Sequence, residues 1–229
     1  AAVGAMGRLD RLISIQTDRT AEAPRRAAAE HLRRVVRRPL DEIIARHVAA
    51  WERHWLAADV EIAGDDEAQR ARRFACFHLI AAANPEDEHS SIGARALTGQ
   101  AYKGHIFWDT EIYMLPFYIF THPAAARALL PYRYHTLPAA REKAKLLGYS
   151  GALYAWESTQ TGSEATPSLV LAPDGEVVVI RNAEQENHIS ADIAYGVWQY
   201  WQATGDDDFL VNAGAEILLE TARFWASRG

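Results

Sequence analysis

Apolar residues return every three or four positions along most of this chain, and two long glycine-marked segments interrupt the rhythm. A helix patterned that way has one face to hide, so the chain must stack helices on helices. Pro24 suits a first helical turn, and Ala27 to Arg38 continues without a breaker. Pro39 opens a second helix, where Leu40, Ile43, Ile44, Val48, Trp51 and Trp55 make one stripe. Asp65 and Asp66 cap a third through Phe74, Phe77 and Ile80, stopped at Asn84-Pro85. Residues 108–121 predict a very apolar helix that Pro116 either kinks or marks in its early part. Pro123 and Pro131 open further helical stretches, and Gly148 caps the run Leu137 to Leu147. Ser190 is expected to cap a helix carrying Ile193, Ala194, Val197, Trp198 and Trp201, ended by Thr204-Gly205-Asp206. A last helix holds Ile217, Leu218, Ala222 and Trp225.

Little of the chain reads as strand. Residues 11–17 predict one short strand, rich in β-branched side chains and without a neighbour to pair with. Leu169-Val170-Leu171, a turn at Pro173-Asp174-Gly175, and Val177 to Ile180 predict a hairpin. The fold class is therefore mainly α, its helix pairs recurring about every 40–50 residues as in a helical toroid or solenoid. The first interruption, 84–107, carries Gly93, Gly99 and Gly104 with Arg95, Lys103 and His105; the second is 149–167. Ordered loops of such length inside a domain are usually functional.

Composition removes several classes of function. The balance of 24 basic against 30 acidic residues leaves a net charge of −6, with no footprint for nucleic acid or an anionic membrane. The single cysteine, Cys76, excludes an internal disulfide framework and a Cys-rich zinc site, and suits a reducing, cytoplasmic compartment. No apolar run approaches the roughly 20 residues of a membrane span, and Ala1 to Asp10 lacks the apolar core of a signal peptide. His47 and His54 read as surface residues of one helix, and no metal or cofactor site is expected. Dinucleotide, phosphate-loop and His-Glu-x-x-His signatures are absent. The run Gly148-Tyr149-Ser150-Gly151 lacks both the spacing and the preceding strand of a nucleophile elbow.

Two matched pairs stand out inside or beside the interruptions: Trp108-Asp109 and Trp156-Glu157. Each sets an aromatic face next to a carboxylate. An indole packs on the apolar C–H face of a pyranose, and a carboxylate accepts hydrogen bonds from its hydroxyls. The residues alone favour Trp108 and Trp156 as core anchors and Asp109 as a helix cap. Two carboxylates across a pocket also suit the acid and base of a glycosidase. The polar run Glu184-Gln185-Glu186-Asn187-His188 is either a solvated connector or a substrate-selecting loop.

The stretch Gly104-His-Ile-Phe-Trp-Asp-Thr-Glu-Ile-Tyr-Met-Leu-Pro116 resembles the signature of glycoside hydrolase family 65. That family includes maltose, trehalose and kojibiose phosphorylases and some trehalose hydrolases. The likeness continues in Ser91-Ile-Gly-Ala-Arg-Ala-Leu-Thr-Gly99, Tyr154-Ala-Trp-Glu-Ser158, Thr161-Gly162, His188-Ile-Ser-Ala-Asp-Ile-Ala-Tyr195 and Gly214 to Arg228. It implies the first half of an (α/α)6 barrel over 66–229, a helical linker at 19–65, and at 1–18 the last strand of an upstream β-sandwich. Trp108, Asp109, Trp156 and Glu157 are thereby expected to line the donor-sugar site. Gln185, Glu186, Asn187 and His188 are expected near the acceptor sugar.

The resemblance further implies an inverting phosphorolysis of an α-glucosyl disaccharide to β-glucose 1-phosphate, with inorganic phosphate as co-substrate and no cofactor. The family's general acid is a Glu within a Gly-Pro-Asp-Glu-(Tyr/Phe)-His type motif, which these residues lack. Asn84-Pro-Glu-Asp-Glu88 and Ala172-Pro-Asp-Gly-Glu176 are lookalikes in the wrong context. The acid and the phosphate segment are expected downstream of Gly229, so the chain reads as one wall of a sugar pocket without a catalytic residue of its own. Its expected partners are a disaccharide and either a second copy or the C-terminal half of the same protein. Two alternatives remain: part of a trehalase-like hydrolase, and a non-catalytic helical sugar-binding or interaction protein.

Overall fold

The computed structural model describes residues 9–17, 24–99 and 101–229, and the chain divides into two compact units, Ala1–Ala57 and Ala58–Gly229. In the first, α1 (Pro24–Val35) ends on Arg33 and Arg34, which complement the negative end of its dipole. The Ser14 hydroxyl and His31 Nδ1 lie 2.9 Å apart. The predicted strand at 11–17 does not form: these residues join no ladder, and the hydroxyl of Ser14 is spent on a helix side chain instead. Part of the expected sandwich segment, 1–8 and 18, lies outside the described residues, as do 19–23 of the expected linker. The helix from Pro39 is α2 (Leu40–Ala58), whose stripe is only half covered, with Ile44 and Val48 exposed.

In the second unit α3 (Asp66–Ala82) is capped as the sequence suggests: Asp65 Oδ1 accepts from the Ala68 amide at 2.9 Å. The apolar helix expected over 108–121 is two pieces, a π-helical turn Thr110–Met114 and α4 (Leu115–Thr121), with Pro116 in the first turn of α4. Asp109 precedes the π turn but makes no side-chain cap. Three short helices follow, each begun by or next to a proline: α5 (Pro123–Leu129), α6 (Pro131–His135) and α7 (Leu137–Leu146). Strands β1 (Leu169–Leu171) and β2 (Val177–Val179) pair antiparallel with Val170 opposite Val178, as the turn signal required. All six residues are exposed. Then come α8 (Asn182–Gln185), α9 (Ile189–Thr204), α10 (Asp207–Phe209), a second π turn Leu210–Gly214, and α11 (Ala215–Arg228).

One correction concerns α9. Ser190 is not its cap; the helix starts one residue earlier, and the buried Ser190 hydroxyl accepts the Tyr154 amide at 3.0 Å. The core lies where α4, α9 and α11 meet, around Leu115, Ile119, Ile193, Val197 and Ile217. Into it runs the second interruption. Ala152, Leu153, Tyr154 and Ala155 are buried loop residues, so their backbone donors need protein partners. The amide of Ala152 donates to Glu220 O at 2.9 Å, that of Leu153 to Ala140 O at 3.0 Å, and that of Tyr154 to Ser190. Each element around the loop thus takes one hydrogen bond.

Gly151 makes this threading possible. Its φ is +73°, and a Cβ there would stand 2.3 Å from the Glu220 carbonyl oxygen. Gly151→Ala is therefore predicted to destabilise the fold by about 2–4 kcal/mol, from backbone strain plus overpacking. A shift of the denaturant midpoint would show it; an unchanged midpoint means the loop does not thread α11 this closely.

Candidate functional site

A buried ion pair sets the first site segment. Glu111 lies on the π turn, and Arg133 on α6 meets it in a fork: Nε to Oε1 at 2.7 Å and Nη2 to Oε2 at 2.9 Å. Both side chains are 1% exposed. Burial pushes the Arg133 guanidinium down, but the charge and hydrogen bonds of Glu111 outweigh it and hold it above its ordinary value. Nη2 also donates to the Phe107 carbonyl at 2.5 Å, next to Trp108. Gly196 on α9 lets the helix approach: a Cβ there would lie 3.1 Å from Glu111 Cβ.

A backbone bridge joins the two interruptions. Ile106 and Ser158 exchange both amide hydrogen bonds at 2.9 Å. Beside the bridge His105 Nδ1 and Glu157 Oε1 lie 2.7 Å apart, although 52 residues separate them in sequence. Behind Glu157 stands Glu164. Its carboxylate accepts from the amides of Trp156 and Glu157 at 3.0 and 3.2 Å, from Thr166, and from Lys143 Nζ at 2.6 Å. Burial pushes this carboxyl up, yet Lys143 and Thr166 prevail and its pKa lies below the usual glutamate range.

The bridge brings both Trp-carboxylate pairs onto one cleft of about 870 Å³, lined by Trp108, Asp109, Trp156 and Glu157 together with Arg95 and Lys103. That volume lies within the range of small-molecule sites. The Trp108 indole also packs against the main core, so it is both anchor and wall. The hairpin closes one side through Val170 and Ile180.

The run 184–188 is split. Its first residues form the last turn of α8, and Gln185 is exposed there. Asn187 is buried, its amide donating to the Glu184 and Gln185 carbonyls, which closes the turn. His188 goes the other way: its ring lies 4.8 Å from Trp108 and 5.7 Å from Trp156. Glu186 Oε2 follows it, 3.3 Å from His188 Nε2.

Sequence reasoning assigned no role to Glu111, Arg133, Glu164 or His105. Glu111 had a signal: a carboxylate inside an otherwise apolar helix demands a buried partner. Nothing in the sequence named Arg133 as that partner, nor tied Glu164 to the Trp156-Glu157 peptide.

Comparison with known proteins defines the class. Residues 73–229 match the glycosyl hydrolase family 65 central catalytic domain. The kojibiose phosphorylase of Caldanaerobacter subterraneus subsp. tengcongensis is 53% identical over 193 residues, covering 84% of this chain and 25% of that protein. That of Thermoanaerobacter brockii is 52% identical over 189 residues, covering 82% and 24%. A solved structure assigned as a kojibiose phosphorylase, from the human microbiome, superposes with a TM-score of 0.79 at 31% identity, over 90% of this chain and 26% of that one. The chain belongs to glycoside hydrolase family 65, and its mostly helical fold with one two-stranded sheet is that of a chain containing a portion of an (α/α) barrel. It spans about a quarter of the length of the relatives it matches.

Two predictions follow from the site's supports. Glu111→Gln leaves the buried Arg133 charge uncompensated and should cost about 3–5 kcal/mol, whereas the double replacement E111L/R133M should cost less than the two single changes combined. Additive losses in urea melts would show that the pair is not coupled. Because Glu164 has a lowered pKa, its contribution is present above the usual glutamate range and is lost as pH falls through its folded value. The acid limb of stability should therefore be steeper in the wild type than in Glu164→Gln, and identical limbs would refute this.

Proposed function

We propose that this chain forms the donor-sugar wall of an inverting α-glucosyl disaccharide phosphorylase. The observation that carries the reading is the convergence of Trp108-Asp109 and Trp156-Glu157 on one cleft. The indoles take the C–H face of a glucosyl ring, and the carboxylates accept hydrogen bonds from its hydroxyls. His105 occupies Oε1 of Glu157, and Oε2 serves the sugar. In the reaction a protonated Glu gives its proton to the glycosidic oxygen while phosphate attacks C1 from the opposite face. The C1–O bond breaks, leaving β-glucose 1-phosphate and a free acceptor sugar. No residue of this chain stands in the family's acid motif. The acid and the phosphate site are therefore assigned to other parts of the complete protein. The names of the relatives favour kojibiose as substrate.

The test uses the complete natural protein with kojibiose, nigerose, trehalose and maltose, each with and without phosphate, the anomeric products read by NMR. β-Glucose 1-phosphate is expected only with phosphate, most rapidly from kojibiose. Free glucose without phosphate would make the protein a hydrolase, and no cleavage of any of the four would reject the substrate class. Asp109→Asn, which removes a charged acceptor, is predicted to lower kcat/KM about 10–100-fold.

A further inference from the structure

The geometry points to His188 as a positioning residue that fixes the tilt and separation of the two indole walls, an inference that rests on the sugar-binding reading above. Its ring stands nearly perpendicular to both indoles, at 82° to Trp108 and 76° to Trp156. Among the ring contacts of the described residues, His188 is the partner the two share. Trp108 and Trp156 otherwise belong to separate loops, joined through the Ile106–Ser158 bridge.

A carboxylate stands beside each His188 nitrogen. Nδ1 lies 2.6 Å from Asp192 Oδ2, and Nε2 lies 3.3 Å from Glu186 Oε2. The Asp192 contact is a hydrogen bond, and it orients the ring from the helix that carries it. This is a different role from the acceptor-sugar contact implied by the family resemblance. The two carboxylates hold the ring from two elements. Asp192 sits one turn along α9, so that pairing comes with the helix itself. Glu186 follows α8, and its Oε1 accepts from Asn182, a residue of the cleft wall, at 3.5 Å. The two loop-borne indoles thus lean on a ring carried at the start of a long helix. Stacking on a sugar needs each indole plane held within roughly 10–20°, and a helix end supplies that constraint better than a loop.

The experiment compares His188→Ala, His188→Phe and Asp192→Asn in the complete natural protein. Initial rates are taken in the synthetic direction with β-glucose 1-phosphate as donor and glucose as acceptor. His188→Ala should raise the donor KM up to about tenfold, the worth of an aromatic edge contact. Acceptor KM and kcat should stay within about twofold. His188→Phe, which keeps the ring, should recover most of the loss. In a Trp156→Leu background the His188→Ala effect should shrink, leaving only the part that acts through Trp108. A rise in acceptor KM instead, equal losses for Ala and Phe, or full additivity with Trp156→Leu would overturn the proposal. Should His188→Ala fail to fold, Asp192→Asn carries the test: it loosens the ring without removing it and must show the same donor-side rise. If the wild type makes no phosphorolytic turnover, the reaction reading has failed alone. The order wild type, Phe, Ala must then still appear in glucose titrations read by tryptophan fluorescence. A different order, or no response to glucose, overturns the inference.

Discussion

Arg133 touches both halves of the cleft, one through its guanidinium and the other through its backbone carbonyl. One of its nitrogens grips the peptide ahead of Trp108, and its fork binds Glu111 two residues past Asp109. The Arg133 carbonyl accepts the Tyr154 hydroxyl at 2.7 Å, two residues before Trp156, while the Tyr154 ring lies 5.8 Å from the guanidinium. A fully buried cation can persist only when its donors are satisfied. Here the satisfying acceptors are the Glu111 carboxylate and the Phe107 carbonyl, on either side of Trp108 and Asp109. The pair is thus less a source of net stability than a device that permits one arrangement of the segment carrying Trp108 and Asp109.

The rest of the cleft is held in the same manner, by polar groups that have nowhere else to bond. Ser158 exchanges backbone hydrogen bonds with Ile106 and its hydroxyl meets that of Tyr132 at 2.8 Å. Glu164 receives the two amides that flank the Trp156-Glu157 peptide and is itself balanced by Lys143. These residues lie in segments without regular ladders, yet their donors are accounted for one by one. Rigid loops of this kind can present indoles and carboxylates at fixed angles, which is the condition for recognising a ring-shaped polar ligand.

Much of the helical frame was legible. Pro24, Pro39, Pro123 and Pro131 marked helix starts, Asp65 marked a cap, and Gly148 and Gly205 marked ends, because each acts through local backbone chemistry. The hairpin was legible for the same reason. Where reading failed, a distant partner had intervened. Ser190 has the chemistry of a cap, but Tyr154 claimed its hydroxyl. The strand expected at 11–17 had the right side chains and no neighbour with which to form a ladder. The apolar run at 108–121 was helical as expected, but a π turn widens it where Glu111 enters the core.

The sequence by itself determined the local elements, the mainly α class and the two aromatic-carboxylate pairs worth watching. Each rests on interactions within a few residues, which spacing and residue type reveal. Tertiary structure decided that the pairs share one cleft, that His105 and Glu164 hold Glu157 and its peptide, and that His188 turns toward the indoles while Asn187 turns away. Those outcomes depend on groups tens of residues apart finding the one arrangement that leaves no buried charge unpaired, and no local pattern encodes which partner each will find.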